Sequence, residues 1–64
     1  MKPPLSYRFQ YEIIHRDRTI ATGQLTQTRM FEVGERLVTN GTVGVIRSVQ
    51  ATANRYEFRL LVQI

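Results

Sequence analysis

Near its start the chain alternates strictly: Tyr7, Phe9, Tyr11 and Ile13 are apolar or aromatic, while Arg8, Gln10 and Glu12 between them are polar. A period of two is what a strand shows when one face is buried and the other wetted, because successive side chains point to opposite faces. Tyr56, Phe58, Leu60, Val62 and Ile64 repeat the pattern against Glu57, Arg59 and Gln63. The spacing predicts a first strand over Leu5–Ile14 and a core strand over residues 56–64. No stretch carries a helical repeat of useful length.

Turn signals divide what lies between. "HRDR" at 15–18, "EVGE" at 32–35, "NG" at 40–41 and "TAN" at 52–54 separate five strands of about five to ten residues each. Asn40-Gly41 is a strong hairpin signal, since a type I′ turn needs positive φ at both central residues. Pro3 and Pro4 mark an irregular lead-in. With "HRDR" as the first hairpin tip, Ile13 is expected opposite Ile20 and Tyr11 opposite Thr22, which strands Leu25 on the wet face beside Arg8. A bulge at Gly23–Gln24 would return Leu25 to Phe9. The apolar phase slips again from Val43 and Val45 to Ile46 and Val49, as in strands that turn barrel corners. The expected fold is all-β: one domain over 1–64, a small barrel of five antiparallel strands in up-and-down order.

Residues 31–49, "FEVGERLVTNGTVGVIRSV", resemble the core of SH3-like small barrels and, more loosely, KOW-type modules. Val33, Gly34, Leu37, Gly41, Gly44, Val45 and Ile46 carry the resemblance. It implies a binding module that contacts nucleic acid or protein through loops and sheet faces, and it carries over no particular site residue. Function has to come from a site and not from the fold.

At 64 residues the chain buries a small share of its surface and is marginal in stability. It has no cysteine, hence no disulfide and no thiolate-held zinc, so packing or self-association must supply the stability. No apolar run approaches the roughly 20 residues of a membrane helix, and the first residues lack a signal peptide's apolar segment. The expectation is a cytoplasmic protein with no membrane association. A sole histidine, His15, rules out a histidine metal cluster within one chain, Ser6 and Ser48 have no evident catalytic partners, and Glu32 and Glu35 flank a turn glycine. Gly34, Gly41 and Gly44 form no phosphate-loop pattern. No catalytic residue, metal, cofactor or small-molecule substrate is expected, and the chain reads as a non-enzyme.

Formal charge is +4, and eight of the nine basic residues are arginine, whose planar fork takes two phosphate or carboxylate oxygens at once. Arg16 and Arg18 share the first hairpin tip with His15 and Asp17, as either an anion-contacting loop or a solvated turn. Arg29 and Arg55 are expected at the opposite end. These four arginines are the candidate DNA or RNA contacts. Tyr7, Phe9, Tyr11, Tyr56 and Phe58 would stack bases if their face were open, but they share it with aliphatic residues that a chain this small needs for its core. Ile14 and Leu61 point away from that face. The Asn40-Gly41 turn opposes Val38 to Val43 and Leu37 to Gly44, with Ile46 on the Leu37 side. Ile14, Leu37, Ile46 and Leu61 are therefore the candidate interface of a homo-oligomer. Two functions follow from the residues: a nucleic-acid-binding module, or a self-associating assembly subunit.

Overall fold

The computed structural model describes residues 6–39 and 41–64. Five strands follow one another, β1 (Tyr7–His15), β2 (Arg18–Gln27), β3 (Arg36–Thr39), β4 (Thr42–Ala51) and β5 (Glu57–Gln63). They form one curled sheet in the order β2-β1-β5-β4-β3, a half-barrel with β2 and β3 at its edges. The all-β architecture and the strand count match the sequence pattern. One feature departs from it: β1 and β5 run parallel, with Phe9 opposite Phe58 and Tyr11 opposite Leu60. Five strands of alternating direction leave the first and last pointing the same way, so joining them makes a parallel pair.

β1 begins at Tyr7, and Leu5, Pro3 and Pro4 lie outside the described residues. Between β1 and β2, Arg16 and Asp17 both adopt left-handed backbone, with φ of 52° and 61°, which makes the tip a tight two-residue turn of the I′ kind. His15 faces Arg18 and Ile14 faces Thr19, after which the register shifts. Ile13 then pairs with Ala21 and Tyr11 with Gly23, not with Ile20 and Thr22 as expected. The bulge exists, but its extra residue is Ile20, and pairing through residues 22–25 is regular. Leu25 does face Phe9. A bulge beside the tip leaves Ile20 exposed, where its one misplaced side chain disturbs no packing.

A second irregularity sits in β4, where Ile46 faces Val62 but Ser48 faces Leu61. Arg47 is the extra residue, and the shift brings Val49 opposite Leu60, which accounts for the slip in apolar phase. β3 and β4 pair as the turn predicts, Leu37 with Gly44 and Val38 with Val43; Gly41 has φ +78°, and Asn40 lies outside the described residues. Gly44 is needed for space: a Cβ there would lie 2.4 Å from Val62 Cγ1.

The core fills the concave side. Phe9, Phe31, Leu37, Ile46, Leu60 and Val62 are buried together. Phe31 comes from the long connection between the two edge strands and meets Phe9 edge-on at 4.8 Å between ring centres, so a loop residue plugs the side that no strand pairing closes. The connection then turns at 32–35, with Gly34 at φ +92° and the Glu35 N–H donating to Glu32 O at 3.1 Å. Backbone bonds from Gly34 N to Ile46 O (2.7 Å) and from Ile46 N to Glu35 O (2.8 Å) fasten it to β4.

Candidate nucleic-acid interface

Because the half-barrel is open, its aromatic face is only partly covered. Phe9 is fully buried, whereas Tyr7, Tyr11 and Phe58 are half-buried and packed against the core. Tyr56, which sits in the turn before β5, is 42% exposed. These rings serve the core at one end of the face and solvent at the other.

The rings form a connected path. Phe31 meets Phe9, Phe9 stacks with Phe58 at 5.9 Å, Phe58 meets Tyr7 edge-on at 5.9 Å, and Tyr7 lies 6.3 Å from Tyr56. An arginine stands over each terminal ring, Arg29 at 5.4 Å from the Phe31 centre and Arg55 at 6.0 Å from that of Tyr56. Both distances suit a cation over a ring face. Arg29 and Arg55 thus belong to one aromatic end, remote from Arg16 and Arg18, which lie at the other end of β1.

Local chemistry fixes the Tyr56 turn. Asn54 Oδ1 accepts from the Tyr56 N–H at 2.9 Å, the Asx turn that makes asparagine a turn residue. Thr52 Oγ1 donates to Glu57 O at 2.8 Å and accepts from the Asn54 N–H at 3.2 Å. The Arg8 N–H donates to Tyr56 O at 2.8 Å, tying the turn to β1. Arg8, not singled out from the sequence, shares a surface groove with Ser6, Thr26, Asn54 and Tyr56. Its place became legible only with the parallel β1–β5 pairing, which sets Arg8 beside Glu57.

The sequence-derived arginines differ in freedom. Arg29 is ion-paired to Glu35, whose other carboxylate oxygen accepts from the Glu32 N–H at 2.9 Å. The Arg29 hydrogen bond, then that backbone bond, hold the Glu35 carboxyl below its ordinary value. Arg29 is thus partly committed to its own loop. Arg16 and Arg18 are exposed on the hairpin tip.

Of the four candidate interface residues, Leu37 and Ile46 are core, at 7% and 0% exposure, so they are not available as surface. The reverse face of the same hairpin is open: Val38, Val43 and Val45 are 64%, 56% and 40% exposed. Ile14 and Leu61 are half-buried on that convex side; the strand register links Ile14 to Val45 through Gln63 and sets Leu61 between Glu12 and Ser48. Pairing alone told which residues share a face, but not which face turns inward.

Among the described residues no group of three or more His, Asp or Glu side chains is placed to hold a metal, and no helix is long and apolar enough to cross a membrane. The sequence matches no protein-family model, and neither a curated protein nor a solved structure is significantly similar to it.

Proposed function

We propose that the chain is a small non-enzymatic binding module that takes up single-stranded nucleic acid at its aromatic end. The observation that carries this reading is the path of rings from Phe31 to Tyr56 with arginine at both ends, buried at Phe31 and open to solvent at Tyr56. Bases offer π faces to such rings, and guanidinium groups beside them reach the phosphates. Tyr56 and the half-buried Tyr7 supply stacking; Arg55 and Arg8 supply phosphate contacts, with Arg29 a third. A net charge of +4 favours encounter with a polyanion.

Anisotropy of labelled DNA and RNA oligomers across a salt series tests it. Single strands should bind more tightly than duplexes, with a log–log salt slope of about −2 for three phosphate contacts. Tyr56→Ala combined with Arg55→Ala should weaken binding by more than tenfold, given about 1–3 kcal/mol per stacked base. Absence of binding at low salt, or an unaffected double variant, overturns the reading. A second reading, an assembly subunit, is favoured by the exposed valines of the β3–β4 hairpin; it predicts association that rises with protein concentration and persists in high salt.

A further inference from the structure

Sheets that end in an open edge guard it with charge, proline or shortness. The edge strand β3 is four residues long and begins with Arg36. The other edge, β2, is ten residues long, and from Thr19 to Gln27 it contains neither charge nor proline. Its bulge at Ile20 lies near the tip, and residues 21–27 beyond it are in regular register with β1. We infer that this edge docks a second copy of the chain, β2 against β2, in one sheet continuous across both molecules.

The direction of pairing follows from charge. Parallel pairing in register would set Arg18 against Arg18, whereas antiparallel pairing about a two-fold axis separates them. Partners in a continuous sheet share a face. Ala21, Gly23, Leu25 and Gln27 lie on the face of Ile13, Tyr11, Phe9 and Tyr7, and Thr22, Gln24 and Thr26 lie on the other. The axis must therefore pass through a residue and not between two. Centred on Gln24, the pairing joins Ala21 to Gln27, Thr22 to Thr26 and Gly23 to Leu25, and uses the whole regular segment. It also carries the hairpin tip of each copy alongside the 29–35 connection of the other. Two arginines against Asp17 leave the tip net positive, and Glu32 and Glu35 against Arg29 leave the connection net negative. That complementarity selects a second copy over an unrelated extended segment. The inference is independent of nucleic-acid binding.

Sedimentation at tens of micromolar should show twice the 7.5 kDa chain mass. Gln24→Lys and Gln24→Glu should each be folded by circular dichroism yet monomeric, since each sets like charges across the axis. An equal mixture of the two should restore the dimer. Amide exchange within residues 21–27 of the unaltered protein should also slow as concentration rises, a readout that needs no variant. A monomer throughout that range, charge variants that dimerise like the parent, a mixture that stays monomeric, or exchange independent of concentration overturns the proposal. So does a dimer that Val43→Arg dissociates and Gln24→Lys leaves intact, which would place the interface on the valines.

Discussion

Arg16 and Asp17 hold the first hairpin tip in left-handed backbone, a conformation that costs an ordinary L-residue about 1–2 kcal/mol and aspartate or asparagine less. Arg16 bears most of that strain. Replacing the pair with Asn-Gly, the sequence best suited to such a turn, should stabilise the protein by about 1 kcal/mol, a rise of roughly 4–8 °C in Tm for a domain of this size. Thermal melts check it, and no change would mean that the tip is already relaxed. Glu35 gives a pH prediction. Its carboxyl is held below the ordinary value of 4.5, first by Arg29 and then by the Glu32 N–H. Its contribution is thus fully present above the unfolded value and lost as pH falls through the folded one. Glu35→Gln should be less stable than the parent near neutrality, with the gap closing as pH drops below about 4.5; melts at a series of acid pH values check the convergence. At this scale the turn residues were legible in the sequence, because Asn, Asp and Gly announce the backbone they favour. The Arg29–Glu35 pair was not, since it depends on how the 28–35 connection folds back.

Registers belong to the next scale. Alternation in β1 and β5 set their inward faces correctly, as a one-residue slip would turn every aromatic outward. The bulge was legible as a need, because Leu25 had to reach Phe9, but its place was not: an extra residue at Ile20 or at Gly23 satisfies the same alternation. Gly23 has a different reason to be glycine, since a Cβ there would lie 2.3 Å from Tyr11 Cζ; the ring occupies that space. The β3–β4 hairpin is apolar on both faces, and the sequence pattern marks Leu37 and Ile46 as interface residues, whereas they turn inward and Val38, Val43 and Val45 turn outward. The larger pair fills the core, and Gly44 beside them admits Val62. Gly44→Ala should therefore cost about 1–3 kcal/mol through overpacking, because Val62 is 1% exposed and has no room to move. Val43→Thr should stay within about 0.5 kcal/mol as a surface change. Urea denaturation of both variants checks the face assignment, and the reverse order of costs would sink it.

The whole molecule is shaped by an odd number of strands. Alternation of direction commits β1 and β5 to a parallel seam once they meet, and the sheet then ends at β2 and β3 without joining them. The expectation of a wholly antiparallel barrel missed this consequence of an odd strand count, and the open side did not show in the sequence either, because no local pattern says whether two edges meet. Phe31 compensates for the missing seam. It is 4% exposed in a connection whose neighbours Met30, Glu32 and Val33 are all exposed, and it covers Phe9 where a closed barrel would have supplied another strand. At about 0.05–0.15 kcal/mol per residue, this chain holds roughly 3–10 kcal/mol in all. Phe→Ala in a core costs about 3–5 kcal/mol, so Phe31→Ala should lose roughly a third or more of the stability and unfold at markedly lower urea. Phe31→Leu, which keeps much of the volume, should retain a cooperative transition. Were Phe31→Ala to cost under about 1 kcal/mol, in the range of a surface change, the connection would not be part of the core. The half-barrel would then have to be closed by something other than its own chain.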